Sequence, residues 1–333
     1  MNGNPNNPYP KSLFVFGNDK SLGEEVAKFL EIKPSGYEIK NFPDGERVPY
    51  QTETVRGRDV FIIFTSQNGS EIDRWLIDYL RFIQAIKRGH PYRITVILPK
   101  LVHQRGDYSY GREPKMSDFY PNLLKTLGVD YMIVCKLHNS ASQTSQPPMD
   151  NLDTTFLIIE KIRESFPDLS KVVIGAGDLG GSKYGRKIAN TLGTPLIIVD
   201  KDRNKISGET KAMKVYSYGD ISEKIDTVIF VDDVISTGGT LCKGANAVSE
   251  QYPQINNFYA AATHADFGKE TLGNFVQSKF KEIWVTNTVP VSEEFKNEFK
   301  KQGKEIITIS VAKLLAKVID NVHDGNPISS LWE

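Results

Sequence analysis

The sequence predicts an α/β protein of two tandem units, each built around a mainly parallel sheet with helices on both faces. Three observations predict it. Short apolar runs alternate with helical patterns along the chain, the second half repeats the scheme of the first, and 333 residues suffice for two cores. The apolar runs are continuous rather than alternating, which is the pattern of strands covered on both sides.

Taken in order, Leu13–Phe16 reads as a strand and precedes a helix at Ser21–Phe29. Val60–Phe64 precedes a long helix at Ser70–Arg88, and the strands Ile94–Leu98 and Tyr131–Cys135 are separated by a helix at Ser117–Leu127. The second half gives Val172–Ile174, a helix at Lys183–Leu192, and strands at Leu196–Val199, Val228–Val231, Phe258–Thr263 and Ile283–Thr286. A helix at Val311–Val322 closes the pattern. The hinge is expected between Met149 and Thr155, with a first domain of residues 11–152 and a second of 153–310. Asp130–His138 and Asp226–Asp233 look like corresponding strands of a duplicated unit.

Lys+Arg and Asp+Glu both number 41, so no basic field points to nucleic acid and no acidic excess to a basic partner. Cys135 and Cys242 lie in apolar segments without metal-ligand spacing, as expected of reduced, buried thiols in a cytoplasmic protein. Residues 1–10, rich in Asn and Pro, read as a disordered arm rather than a signal peptide. No apolar run reaches membrane-spanning length. These features point to a soluble cytoplasmic protein that engages neither nucleic acid nor membrane.

The most informative string is Val228 to Thr240, VIFVDDVISTGGT. An apolar strand ends in two adjacent carboxylates, Asp232 and Asp233, and a hydroxyl- and glycine-rich turn then leads into a helix. Glycines let backbone N–H groups close around a phosphate, the hydroxyls of Ser236, Thr237 and Thr240 add donors, and a helix N-terminus favours an anion. Paired carboxylates suit the vicinal hydroxyls of a sugar. Thr237-Gly238-Gly239-Thr240 alone would be an ordinary strand–helix turn, but two consecutive aspartates at a strand end are costly unless something uses them. The string describes a pocket for a ribose 5-phosphate group, and it resembles the phosphoribosyl-diphosphate (PRPP) motif of type I phosphoribosyltransferases and PRPP synthetases.

Asn41-Phe-Pro-Asp-Gly-Glu-Arg47 separates those two classes. On composition it is a surface turn. It resembles the Phe-x-Asp-Gly-Glu motif of PRPP synthetases, an element that type I phosphoribosyltransferases lack. The resemblance to PRPP synthetases then runs from Leu13 to Glu333 through Arg112-Glu-Pro114, Gly177-Asp-Leu-Gly-Gly181, Val199-Asp-Lys-Asp-Arg203, Thr263-His264, Val285–Thr288 and the ending Ser330-Leu-Trp332.

That resemblance implies two Rossmann-like units of the phosphoribosyltransferase type, with the segment 311–333 packing back on the first. The implied activity is ribose-phosphate diphosphokinase: transfer of a pyrophosphoryl group from ATP to the C1 hydroxyl of ribose 5-phosphate, releasing AMP. It implies Mg²⁺, ATP and ribose 5-phosphate as ligands, and a homo-oligomer built on dimers, a hexamer being one such assembly. By motif position, Phe42, Asp44, Glu46, Arg105, Asp107 and His138 would contact ATP, and His138 and Asp178 would be associated with metal. Lys201 and Arg203 would be catalytic, in a polar and poorly patterned loop that continues through Asn204–Met213. Asp232 and Asp233 would hold ribose hydroxyls, and Ser236, Thr237, Gly238, Gly239 and Thr240 would cradle the 5-phosphate.

Departures from the family pattern gather at the nucleotide end. Gly106 replaces a Gln, Lys136 an Asp, and Asn139-Ser140 an acidic position, while Lys100–Gln104 replaces an aromatic- and glycine-rich run. Ser236 stands where an Asp is usual, and Asp202 interrupts a basic trio. Two other readings therefore stand beside the synthetase: a catalytically weak regulatory subunit of PRPP synthetase, and a type I phosphoribosyltransferase.

Overall fold

The computed structural model describes residues 7–65, 71–108, 111–144, 146–203 and 210–331. The chain forms two compact units: Met1–Asp153 with Thr288–Pro290 and Ser310–Glu333, and Thr154–Asn287 with Val291–Ile309.

The first unit runs β1 (Lys11–Gly17), α1 (Ser21–Phe29), β2 (Tyr37–Asn41), β3 (Arg47–Gln51), β4 (Asp59–Thr65), α2 (Ile72–Arg88), β5 (Arg93–Leu98), α3 (Met116–Thr126), β6 (Tyr131–Cys135) and β7 (Met149–Leu152). Its main sheet has the order β1-β4-β5-β6-β7, and every pairing is parallel. All seven residues of β4 are buried, which accounts for its unbroken apolar run. The buried residues of α2, Leu76, Tyr79, Phe82, Ile83 and Ile86, recur at helical spacing and cover the sheet. Phe16 stacks on Phe82 at 4.9 Å and on Tyr37 at 4.8 Å, fastening the β2–β3 hairpin to that core. Most of the expected hinge is strand: Met149–Leu152 pairs with β6, and the units divide after Asp153. This edge strand has only two apolar residues, Met149 and Leu152, separated by Asp and Asn, so MDNL carries no apolar run.

The second unit runs α4 (Thr155–Ser165), β8 (Val172–Ala176), α5 (Ser182–Leu192), β9 (Leu196–Arg203), β10 (Thr210–Tyr218), β11 (Thr227–Ile235), α6 (Gly239–Gln251), β12 (Asn257–Ala265), α7 (Thr271–Val276), β13 (Phe280–Thr286), α8 (Glu293–Lys301) and β14 (Glu305–Ile309). The sheet order is β10-β9-β8-β11-β12-β13-β14, parallel except where β10 pairs antiparallel with β9. Alternate residues of β11 feed different cores, Val228 and Phe230 one, Ile229 and Val231 the other. Thr210–Met213, expected in a loop, lies in β10, where backbone pairing with β9 overrides a polar sequence. The rest of that loop, residues 204–209, lies outside the described residues.

The last α-helix of the described residues, α9 (Ala312–Asp324), is a member of the first unit and packs on α1. A buried clasp secures it. The fully buried Asp59 carboxylate accepts hydrogen bonds from Arg93 Nε (2.9 Å) and Nη2 (2.5 Å) and pairs with His323 Nδ1 (2.8 Å). Arg93 Nη2 also donates to the Val322 carbonyl at 2.9 Å. Burial pushes the Asp59 pKa up, but the bonds from His323 and Arg93 outweigh it and hold the group below its usual value.

Residues 7–10, expected in a disordered arm, make specific contacts although residues 8–10 are exposed. Asn7 donates to the His323 carbonyl at 2.6 Å, Tyr9 stacks on Tyr92 at 3.8 Å, and the Pro10 carbonyl accepts from the Asp59 N–H at 3.0 Å. The one aromatic in a polar tract provides this anchorage. Among the described residues, no helix is long and apolar enough to cross a membrane.

Candidate active site

In the second unit β8 comes first, β9 adds on one side and β11 on the other, so the strand order reverses between β8 and β11. Ligands of open α/β sheets bind in the crevice outside the carboxyl ends of strands at such a reversal. Ala176 pairs with Val231 across it, and the chain then places Asp178 and Asp232 just beyond. Asp178 Oδ1 accepts the Gly181 N–H at 2.9 Å, and the Asp233 N–H donates to Asp232 Oδ1 at 2.9 Å. A Cβ built on Gly181 would lie 3.6 Å from Asp232 Oδ1 and 3.8 Å from Asp178 Oδ1, so both carboxylates flank this turn. Burial, then the charges of Asp233 and Asp178, push the Asp232 pKa well above the usual carboxylate range. Such a cluster is a standing cost that hydroxyl donors or a cation would relieve.

The Ser236–Thr240 loop begins α6. Its carbonyls are tied from behind by α7: Thr271 Oγ1 donates to the Ser236 oxygen at 2.6 Å and Asn274 Nδ2 to the Thr237 oxygen at 2.9 Å. Gly238 adopts φ +72°, and a Cβ there would stand 2.1 Å from a ring carbon of the buried Phe275. Fixing the loop in this way sets the N-terminus of a thirteen-residue helix at the carboxyl end of the sheet. Thr271, Asn274 and Phe275 are the supporting residues that sequence reasoning missed; they lie some 35 residues downstream of the loop and no local pattern marks them.

Lys201 and Arg203 lie at the carboxyl end of β9, the neighbour of β8, with backbones paired to Met213 and Thr210. The second unit therefore gathers Asp178, Lys201, Arg203, Asp232, Asp233 and Ser236–Thr240 at one end of its sheet.

The first unit holds the remainder. β5 and β6 pair through Leu98 and Val134, so residues 99–108 and 136–139 leave the same end of that sheet. Gln104 Oε1 accepts the His138 N–H at 3.3 Å, and the Asn139 amide reaches the Tyr108 hydroxyl at 3.4 Å. Asp107 is buried and Arg105 exposed. The Gly106 carbonyl accepts N–H groups of Met116 (2.8 Å) and Ser117 (3.2 Å), and a Cβ at Gly106 would approach Met116 to 3.0 Å. Gly106 thus lets the start of α3 close on the loop. Lys136 has φ +43°, a conformation costing about 1–2 kcal/mol for most side chains and easier for Asp or Asn. Its ammonium stands 3.6 Å from Asp153 Oδ1.

Phe42, Asp44 and Glu46 form the tip of the β2–β3 hairpin, a separate two-stranded sheet. The Phe42 N–H donates to the Glu46 carbonyl at 2.9 Å and the Glu46 N–H to Asp44 Oδ1 at 3.0 Å. At the base, Arg47 pairs with Asp78 at 2.9 Å and lies over Trp75 at 4.8 Å. A braced turn therefore displays an aromatic, 36% exposed, beside two exposed carboxylates. His138 belongs to the first unit and Asp178 to the second. Among the described residues, no group of three or more His, Cys, Asp or Glu could by itself hold a metal ion. Cys135 is buried in β6 and burial raises its thiol to about 12; Cys242, half-buried in α6, rises to about 11 for the same reason.

Comparison with known proteins agrees with this geometry. Residues 12–128 match the model of the N-terminal domain of ribose phosphate pyrophosphokinase, and residues 199–333 that of the phosphoribosyl synthetase-associated domain. A ribose-phosphate pyrophosphokinase of Fusobacterium nucleatum is 32% identical over 323 residues, covering 96% of this chain and 97% of the relative. One from Helicobacter pylori is 32% identical over 314 residues, 94% of this chain and 93% of its own. The crystal structure of phosphoribosylpyrophosphate synthetase from Mycobacterium smegmatis superposes with a TM-score of 0.82 at 29% identity, covering 95% of this chain and all (100%) of that one. With near-complete coverage in both directions and the same two-unit α/β fold, the chain belongs to the ribose-phosphate pyrophosphokinase family.

Proposed function

We propose that this chain is a ribose-phosphate diphosphokinase, making PRPP and AMP from ATP and ribose 5-phosphate. The observation that carries the reading is the site at the β8/β11 reversal, where Asp178, Asp232 and Asp233 meet the loop opening α6. In this reading Asp232 and Asp233 accept the ribose hydroxyls and the 236–240 loop holds the 5-phosphate. That leaves C1 as the reacting end of the sugar. Its hydroxyl oxygen attacks the β-phosphorus of ATP and loses its proton, the bond from that phosphorus to the α-phosphate oxygen breaks, and AMP leaves. The work is positioning and charge neutralisation. Lys201 and Arg203, at the end of β9, supply positive charge to the transferred group. Arg105, Asp107 and His138, with Phe42, Asp44 and Glu46 of a neighbouring copy, bind the nucleotide, so the working form is a homo-oligomer built on dimers, in the cytoplasm.

Mg²⁺ commonly takes one or two protein carboxylates and completes its octahedron with phosphates and water, and Asp178 at the strand reversal offers one. Asp178 and His138 would hold it, and when bound it would neutralise charge on the ATP phosphates. A catalytically weak regulatory role is the second reading, favoured by the ion-paired Lys136 with its positive φ. The first unit, matched over residues 12–128, is unaccounted for in a phosphoribosyltransferase.

The test is incubation with ATP, Mg²⁺ and ribose 5-phosphate, with Lys201→Ala alongside. Stoichiometric AMP and PRPP are expected, with turnover falling about 10²- to 10³-fold in the variant, the scale for one lost transition-state donor. Ribose 5-phosphate binding without AMP formation would reject the reading in favour of the regulatory one.

A further inference from the structure

The carboxyl end of α9 is capped by groups from elsewhere in the first unit. The last carbonyls of a helix have no intrahelical partner and fray unless something bonds them. In α9 the Val322 carbonyl accepts from Arg93 Nη2 at 2.9 Å, and the His323 carbonyl accepts from Asn7 Nδ2 at 2.6 Å. The Asn7 amide is fixed in that sense, because its Oδ1 already accepts the Tyr9 N–H at 3.1 Å. Its nitrogen also lies 3.3 Å from His323 Nδ1, which cannot accept while donating its own proton to Asp59 Oδ2. The segment 7–10 is held in turn at two points. Tyr9 stacks on Tyr92 with the ring planes 12° apart, and the Pro10 carbonyl accepts the Asp59 N–H. The next residue, Lys11, pairs with Asp320 of α9. Asp59 therefore serves both fastenings, its N–H on the segment and its carboxylate on Arg93 and His323.

We propose that residues 7–10 are a strap that latches α9 and opens as a unit before the first sheet does, so that the strap controls release of the helix. The two fastenings differ in depth. Asp59 is fully buried and His323 is 7% exposed, whereas Tyr9 and Tyr92 are 36% and 52% exposed. Contacts that water already reaches are the first to open. When the strap leaves, the His323 carbonyl loses its cap and the Asp59–Arg93–His323 cluster holds the helix alone. The device joins residues 316 positions apart in the chain. It lies at the amino ends of β1, β4 and β5, the opposite end of the sheet from residues 99–108 and 136–139. Cleavage or capture of the chain before Lys11 would therefore loosen α9 without reaching that part of the candidate site.

The test is amide hydrogen exchange, resolved to single residues by NMR, on the full chain and three variants. Asn7→Ala removes the cap, Tyr9→Ala removes the stack, and Tyr9→Phe keeps the ring as the conservative control. The Asp59 amide reports the strap, the amides of Val322, His323 and Asp324 report the end of α9, and those of Ile62 and Val96 report the sheet. Asn7→Ala and Tyr9→Ala should each speed exchange at Asp59 and at the end of α9 together, by about 3- to 10-fold. That is the range for one net hydrogen bond or one aromatic pair. Tyr9→Phe should stay within about twofold of the parent, and Ile62 and Val96 should be unchanged in all three. A faster Asp59 amide with parental exchange at the end of α9 overturns the proposal, because the segment would then open without releasing the helix. Parental exchange at both overturns it too, as does an equal acceleration at Ile62 and Val96, which would mean a general loss of stability.

Discussion

Replacing Gly238 with alanine probes how the phosphate loop is held. The residue sits at φ +72°, so any side chain there costs about 1–2 kcal/mol in backbone strain. The new Cβ would lie 2.1, 2.8 and 2.8 Å from three ring carbons of Phe275, all below the closest approach real Cβ atoms make. Phe275 cannot swing aside, because it is fully buried against Phe280 (5.4 Å between centroids) and Phe299 (6.2 Å). Overpacking of this kind adds about 1–3 kcal/mol, for a total near 2–5 kcal/mol. A loop that shifts to relieve the clash would disturb the proposed 5-phosphate site, and a shift of about 1 Å can cost on the order of 100-fold in rate. Hydrogen exchange of β11 and β12 amides reads the stability of the second unit, and calorimetry reads ribose 5-phosphate affinity; both should fall in Gly238→Ala. Gly239→Ala is the control for the exchange measurement, since its Cβ would meet nothing closer than 3.7 Å. Adding Phe275→Leu to Gly238→Ala should recover part of the loss, a coupling that distant sites do not show. Parental exchange rates and ribose 5-phosphate affinity in Gly238→Ala would refute the reasoning.

Two further predictions concern the carboxylates of Asp59 and Asp232. Asp59→Ala should destabilise the first unit by about 3–5 kcal/mol, because it strands the partly buried Arg93 and the buried His323, with α9 amides losing protection and the second unit unchanged. The Asp59 pKa is depressed in the fold, so its contribution is present above the ordinary value of 3.8 and is lost as pH falls through the lower folded value; Asp59→Asn should lack that acid-side decline. Asp232 has the opposite sign. Its raised pKa means the folded chain holds a proton the unfolded chain releases, so stability falls as pH climbs from 3.8 toward the folded value. Asp232→Asn should remove that slope and raise second-unit stability at neutral pH by about 1–2 kcal/mol, while weakening ribose 5-phosphate binding about 10-fold or more. A lower melting temperature than the parent at pH 7 would contradict this.

The strands and helices that position the second-unit site were legible because a buried parallel strand has one signature, an apolar run ending in a turn. VIFVDDVI, with its two aspartates, marks both β11 and the end of the sheet proposed to bind the sugar. The edge strands β7, β10 and β14, the helices α4, α7 and α8, and the hairpin of which only the tip carried a motif were not anticipated; β7, β10 and the hairpin lack an apolar run, whereas α4 and β14 have short ones that were passed over. What holds the loop was invisible for a related reason. Thr271, Asn274 and Phe275 act through backbone carbonyls and a ring contact with Gly238, none of which requires a local sequence pattern. At the nucleotide end the sequence marked the altered positions without their physical meaning. The glycine at 106 is where α3 closes on the loop, and the lysine at 136 is ion-paired to Asp153.

The most direct measurement is ³¹P NMR of the reaction of the full chain with ATP, Mg²⁺ and ribose 5-phosphate. The account predicts loss of the ATP resonances, one AMP for each new diphosphate attached at C1 of the sugar, and no ADP. Formation of ADP, or an unchanged ATP spectrum while ribose 5-phosphate is bound, would contradict it.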